Sequence, residues 1–387
     1  MWHLPVQVYT PDEDAYVNFY AVPLLQQGLG HLPALVKDYS ARPELHAFPS
    51  PTRAGQLWPM VATMLILSDD SPRAAAVLSA TASVAILVAT WMIGAAFFPP
   101  WVAAIALLFA IVSPMDLAMA RRAWGDEPFA FLTLAAAGTF MLHARAPHRH
   151  GWAIACLALA GYAILCKESG LLVLALATVG LTIVAWRTSG IRAALLALGA
   201  GAFTLIVACG VLALAVGGWE PLVAAFQRLS DTSNVNAYMR EYQSGGPDYY
   251  VRGLALLQPL PMALGILAAA WIALRTLSRR GGANGGSGIG ATTLAWLTLA
   301  FVVVALVYPQ KNLRFLSPVY APLDLLAASL VWTALSWVRS RRPAMARGAA
   351  MALALILLGS ALADHRRFER DFIERQIPDL ATPWFTR

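Results

Sequence analysis

The stretch RAALLALGAGAFTLIVACGVLALAV (192–216) decides the fold. After Arg192 it holds no charged residue, and it exceeds the ~20 apolar residues that carry a helix across the hydrocarbon of a bilayer. Reading outward, comparable runs lie near 74–97, 101–119, 127–143, 151–166, 169–186, 253–275, 293–308, 315–337 and 347–363. Only 13% of the 387 residues are charged and 59% are hydrophobic, against a charged share of roughly 25% in soluble domains. The mean hydropathy of +0.61 agrees. The expected fold is an all-α integral membrane protein with about ten transmembrane helices. Residues 1–73 are expected to form an outer-face loop with short interfacial helices, 74–363 the multispanning domain, and 364–387 an outer tail.

Within 1–73, the segment AGQLWPMVATMLILS (54–68) is too short to cross and carries Pro59, so an interfacial or re-entrant helix is expected there. Residues 217–252 form a long aromatic and polar connection, and 276–292 a Gly-rich flexible linker. The net charge of +7 could point to nucleic acid. Its distribution argues otherwise. If 217–252 lies outside, the inside loops collect Arg145, Arg149, Arg187, Arg192, Arg275, Arg279, Arg280, Arg339, Arg341, Arg342 and Arg347, which is the positive-inside bias of a multispanning protein. No nucleic-acid partner is expected. Cys156, Cys166 and Cys209 lie in or beside apolar runs and read as packing residues. The His-rich loop HARAPHRH (143–150) lacks a zinc-ligand spacing.

The conspicuous charges sit in short gaps assigned to the other side: TPDEDAY (10–16), ARRAWGDEPF (120–129), LCKESG (165–170) and PQKNLRF (309–315). Polar clusters gathered at one membrane face are functional-site candidates. Each has a plain alternative. Thr10, Pro11 and Glu13 spell a capping box, N-cap to N3; this is compatible with catalysis, because it leaves Asp12 able to project. Asp126 could cap a helix starting at Glu127–Pro128. Arg121 and Arg122 stand on the side where basic residues are disfavoured, which implies an anionic partner, either Asp126 or a lipid phosphate; a headgroup anchor is the plain reading. Lys167 and Glu168 could pair with each other. Neighbours on a helix do not face one another, however, so Lys167 is expected to point elsewhere. Lys311 and Arg314 precede a helix with Pro318 and Pro322, expected to bend or break its end.

Taken in order, DE-x2-Y (Asp12, Glu13, Tyr16), SPMDLAMARRAWGDEPF, AGYAILCKESGLLVL and RFLSPVYAPL resemble the GT-C class of polyprenyl-phosphate-sugar glycosyltransferases, family 39, of the protein mannosyltransferase and aminoarabinose transferase type. The resemblance runs from about residue 9 to about 330. It implies a first-loop acid as base at Asp12 with Glu13 beside it, a second-loop acid at Asp126 five residues after Arg121, a Lys at Lys167, and a late Arg-aromatic-x-x-Pro at Arg314, Phe315 and Pro318. Two departures stand out. The family's first transmembrane helix does not precede TPDEDAY, which is expected to reflect a start placed downstream or a trimmed chain, and the C-terminal soluble domain of many members has no counterpart.

The residue types suit the chemistry. Asp12 would take the proton of an attacking hydroxyl, while Arg121, Lys167, Lys311 and Arg314 would stabilise the departing lipid phosphate. A single displacement inverts the anomeric centre. The expected partners are a polyprenyl-phosphate-linked sugar, a lipid, glycan or protein hydroxyl, and membrane lipids. The expected location is a bacterial inner membrane with the site facing the periplasm. No metal or other cofactor is expected, although Asp12, Glu13 and Asp126 are residue types that hold a hard divalent ion. Tyr16, Trp219, Tyr238 and Tyr242 are candidates for an acceptor or sugar platform, with an interfacial aromatic belt as the alternative. A lipid-linked-sugar flippase or transporter and a noncatalytic envelope-glycan scaffold are the competing functions. The absence of a visible half-repeat weighs against the transporter.

Overall fold

The computed structural model describes residues 9–42, 45, 48–235, 237–278 and 286–386. Arg279, Arg280 and residues 281–285 of the expected Gly-rich linker lie outside the described residues, which contain helices and no strand; the two ends of that linker, 276–278 and 286–292, are helical instead. The N-terminal helices are α1 (Pro11–Asp14), continued by a π-helical stretch Ala15–Ala21 and α2 (Val22–Gln27), then α3 (Leu32–Ala41) and α4 (Ala54–Leu67). There follow α5 (Pro72–Phe97), α6 (Pro100–Ile111), α7 (Pro114–Ala120), α8 (Asp126–Arg145), α9 (His150–Cys166), α10 (Gly170–Ser189) and α11 (Ile191–Val216). The second half holds α12 (Trp219–Val235), α13 (Ala237–Tyr242), α14 (Asp248–Leu257), α15 (Pro259–Ser278), α16 (Gly286–Val307), α17 (Ser317–Arg341), α18 (Ala346–Phe368) and α19 (Pro383–Thr386).

All ten apolar runs are helical. Among the described residues seven helices are long and apolar enough to cross a membrane, and α6 with α7 makes an eighth if this pair, bent by 60°, is one span. This is an integral membrane protein. Two other runs fall short of that test: α8 opens on Asp126 and Glu127, and α9 has 17 residues. The run at 253–275 is not one helix, since Gln258 leaves the helical region before Pro259 and separates α14 from α15. A residue preceding proline is disfavoured there. At Pro318 and Pro322, where a bend or a break is expected, the helix does not break. Pro318 sits in the first turn of α17, where its missing N–H is no loss, and the helix continues through Pro322 to Arg341. Nor does α18 stop at 363; it runs on to Phe368.

The chain divides into two compact units. One comprises Met1–Ser83, Met119–Gly245 and Pro309–Lys311; the other Val84–Ala118, Gly246–Tyr308 and Asn312–Arg387. In the first, α8, α9, α10 and α11 pack on one another. Helix α11 shows the rule that organises them: Ala194, Gly201 and Ala208, seven apart, are buried, while Leu196, Phe203, Ile206 and Leu214 stay exposed. Small residues let helix backbones approach closely where water supplies no driving force. A Cβ on Gly201 would strike the Thr178 side chain of α10.

The second unit packs α15, α16 and α6 around α17, with Phe109, Ala327, Val331 and Leu357 at its centre. The two helix breaks meet here. Ser113, between α6 and α7, donates to Gln258 Oε1 at 3.0 Å, and Gln258 Nε2 donates to the Phe109 carbonyl at 3.4 Å. Backbone groups freed inside a membrane protein need such partners.

In the first unit, α4 approaches α9 at Gly55. A Cβ there would lie 2.8 Å from Leu165 Cβ and 2.9 Å from its carbonyl carbon, and Tyr162 donates to the Gly55 carbonyl at 2.9 Å. We expect Gly55→Leu to destabilise the protein by about 1–3 kcal/mol through overpacking, read as a lower melting temperature in detergent. Gly151→Ala, where a Cβ meets nothing within 4 Å, should leave melting unchanged.

Candidate active site

The capping box at Thr10 forms as its spacing predicts. Glu13 N–H donates to Thr10 Oγ1 at 3.2 Å, and Thr10 N–H donates to Glu13 Oε2 at 2.9 Å. The same Glu13 carboxylate, 1% exposed, then accepts from Arg122 Nη1 at 2.7 Å and from the Ala123 N–H at 3.2 Å. Trp124 closes the arrangement. Its Nε1 donates to Thr10 Oγ1 at 3.1 Å, its ring lies 5.6 Å from the Arg122 guanidinium carbon, and its carbonyl accepts from Ser79 Oγ. Thr10, Glu13, Arg122, Ala123 and Trp124 thus bolt the RRAWGD loop onto the first turn of α1.

This revises the reading of the arginine pair. Arg122 answers Glu13, a partner the sequence did not suggest. Arg121, half-buried beside it, has its pKa lowered to about 10, by burial first and by Arg122 next, with Glu13 opposing. Asp126 is not an N-cap either. The cap position is Gly125, and Asp126 is the first helical residue, where an acid favourably meets the helix dipole.

Lys167 leaves the C-terminus of α9 in an extended conformation and reaches Asp126, Nζ to Oδ1 at 2.5 Å, with the Phe129 ring 5.7 Å below. Lys167 therefore looks away from its neighbour Glu168. Glu168 instead takes Arg53 in a two-pronged pair, at 3.0 and 2.8 Å. Burial pushes the Glu168 carboxyl pKa up, but the Arg53 guanidinium outweighs it, favours the ionised carboxylate and holds the pKa below the usual range. Arg53 also donates to the Tyr16 hydroxyl. Burial raises the Tyr16 pKa well above that of an ordinary phenol; Arg53 opposes, while Asp12, Glu168 and Asp126 add to the rise. Tyr16 is thus the point around which Asp12, Asp126, Arg53 and Glu168 are close enough to act electrically. Asp12 itself is half-buried in the first turn of α1, followed by the buried Glu13 and the exposed Asp14, whose carboxylate accepts from Asn18 Nδ2 at 2.6 Å.

Arg53 is the residue that sequence reasoning missed. It stands alone in a Pro-broken segment and carries no local signal; its partner lies 115 positions along the chain.

Lys311 is nearly buried, which lowers its pKa, and its N–H donates to the Gln243 carbonyl at 2.7 Å. That contact sets it beside the end of α13, where the rings of Tyr238 and Tyr242 stack with centroids 4.9 Å apart. The four-residue spacing does place them on one face. Trp219, the first residue of α12, is exposed. In the second unit Arg314 lies in the 3-10 turn Leu313–Leu316, whose cap Asn312 accepts the Arg314 N–H at 3.1 Å. Among the described residues no group of three or more His, Cys, Asp and Glu is placed to hold a metal ion.

No family model matches this sequence, and no curated protein does. Solved structures do. ArnT from Cupriavidus metallidurans bound to undecaprenyl phosphate matches with a TM-score of 0.59 and 20% identity, over 98% of this chain and 70% of that one; its apo state gives 0.55. The Archaeoglobus fulgidus oligosaccharyltransferase AglB, in complex with an inhibitory peptide and a dolichol-phosphate, matches with a TM-score of 0.54 and 14% identity, over 82% of this chain and 47% of that one. At these identities the likeness is one of fold. The chain has the GT-C fold of these glycosyltransferases.

We expect Glu13→Gln to cost about 3–5 kcal/mol, because it strands Arg122 as an uncompensated buried charge. Thermal melting in detergent checks this, and Glu13→Gln with Arg122→Met should recover part of the loss.

Proposed function

We propose that this chain is a membrane glycosyltransferase that moves a sugar from a polyprenyl-phosphate donor to a hydroxyl acceptor at the outer membrane face. The observation that carries the reading is the division of labour among three carboxylates on one GT-C chain. Glu13 is bonded to Arg122 and Asp126 to Lys167, both buried, while Asp12 is half-buried on a turn that the capping box fixes. Glu13 then positions and Asp12 reacts.

Asp12 takes the acceptor hydroxyl proton as that oxygen attacks the anomeric carbon. The bond from that carbon to the phosphate oxygen breaks, and its electron pair leaves on the lipid phosphate. One displacement inverts the centre. Asp126 orients Lys167, an ammonium with three donors, and Lys167 with Arg121 and Lys311 offsets the charge that develops on the phosphate. The resemblance of RFLSP gives Arg314 the same role. Tyr16, held by Arg53, faces the reacting groups, and Tyr238, Tyr242 and Trp219 form the acceptor or sugar platform. Fixed cations supply the charge that a metal ion would otherwise bring, so the reaction proceeds without one. The arginine distribution supports a site on the periplasmic face of a bacterial inner membrane.

Transfer from a polyprenyl-phosphate-sugar pool in membranes tests this. Wild type should transfer, Asp12→Asn should lose about 10²–10⁴-fold in rate with melting unchanged, and a chelator should leave wild-type transfer intact. Equal rates in both proteins would remove Asp12 as the base, and loss on chelation would remove the metal-free route.

A further inference from the structure

We propose that Asp379, in the C-terminal segment, is a positioning residue for Arg314. The inference rests on the phosphate-binding role given to Arg314 above. An arginine side chain has rotamer entropy to lose before its planar fork can meet a phosphate in fixed geometry, and an electrostatic site works best when that cost is met before the substrate arrives. Something must hold Arg314 still.

The candidate is a carboxylate in ion-pair contact with it: Asp379 Oδ1 lies 3.9 Å from Arg314 Nε, with the two side chains 4% and 10% exposed. That carboxylate is itself rigid. Asn312 Nδ2 donates to both of its oxygens at 3.1 Å, and the Leu380 N–H donates to Oδ1 at 2.7 Å. Asn312 is also the cap that receives the Arg314 N–H. One amide side chain therefore fixes the backbone of the arginine and the counter-charge of its head.

The segment that carries Asp379 is strapped down on both sides. After α18 and the π-helical turn Glu369–Glu374, Gln376 adopts a left-handed conformation, φ 51°, unusual for a residue with a side chain, and the chain reverses. The Leu313 N–H then donates to the Leu380 carbonyl at 3.1 Å. Thr382 is bonded twice to Tyr249: its N–H to the phenol oxygen at 2.9 Å and its hydroxyl to the carbonyl at 3.0 Å. Leu380 and Ala381 are fully buried. Gly253 of α14 leaves room for this contact, since a Cβ there would lie 2.7 Å from Thr382 Oγ1 and from Leu313 Cδ1.

A purely structural latch would not need a charge. An asparagine at 379 could bond Asn312 and the Leu380 N–H, and a buried carboxylate is costly unless a cation meets it. Arg314 is a cation that meets it.

The test uses the full chain in detergent with undecaprenyl phosphate as the probe, measuring its binding and the melting temperature. Asp379→Asn should weaken binding by about tenfold, the scale of one charge-assisted contact, and should also lower the melting temperature, because it leaves Arg314 buried without its counter-charge, so binding is measured well below that temperature. Asp379→Glu should recover part of the affinity, and Asp379→Asn should add nothing to the loss in Arg314→Gln. Binding unchanged or tightened in Asp379→Asn, or weakened equally in the Arg314→Gln background, would overturn the proposal. If Asp379→Asn does not fold, Asn312→Ala replaces it, with several-fold weaker binding expected and unchanged binding fatal. Wild-type binding matched by Arg314→Gln would instead overturn the role of Arg314 itself, and this inference with it.

Discussion

A carboxylate or a guanidinium costs several kcal/mol to bury unless an opposite charge and hydrogen bonds meet it, and the Glu13–Arg122 pair is where this chain meets that demand most fully. Glu13 closes the cap of α1 and Arg122 belongs to the loop before α8, 109 positions away. Because neither charge is tolerable alone, the two loops have one shared geometry. Trp124 reinforces it by bonding the same threonine that caps the helix. Everything proposed for Asp12 depends on this bolt, since Asp12 is carried on the turn it fixes.

The same economy of charge runs through the first unit. Asp126 answers Lys167, Glu168 answers Arg53, and Arg53 also holds the Tyr16 hydroxyl. Lys167, a cation of the proposed phosphate cradle, is therefore preorganised by a protein anion rather than left to be ordered by substrate. The helices obey a different rule. Gly55, Gly201 and Gly265 each stand where a Cβ would meet a neighbouring helix or strike its side chains, so close backbone contact, not side-chain burial from water, sets the spacing. Where helices break, at Ser113 and Gln258, polar side chains satisfy each other and a freed carbonyl.

Much of this was legible in advance. Apolar runs of spanning length gave the helices, because lipid demands internal hydrogen bonding and a helix supplies it. The cap at Thr10 followed from local spacing alone, and so did the shared face of Tyr238 and Tyr242. The misreadings have one origin. Gln258 was read through because an apolar run hides a single residue displaced by the following proline. Local signals leave a cap open for Asp126, because they cannot say that Lys167 takes its carboxylate. Prolines 318 and 322 signal a bend or a break, yet α17 does not break: the first occupies a turn where proline is harmless and the second is carried within the packed α17.

The sequence by itself determined that this is an all-helical membrane protein, where its spans run, how α1 begins, and which charged residues gather between spans, since these depend on composition and on contacts three or four residues apart. Only the tertiary structure decided which charge meets which: Glu13 with Arg122, Asp126 with Lys167, Arg53 with Glu168, Arg314 with Asp379. Coulomb attraction carries no address along the chain. In a protein with several acids and bases in its loops, partners are chosen by the helix packing that brings distant loops together, and that packing is a property of the whole fold.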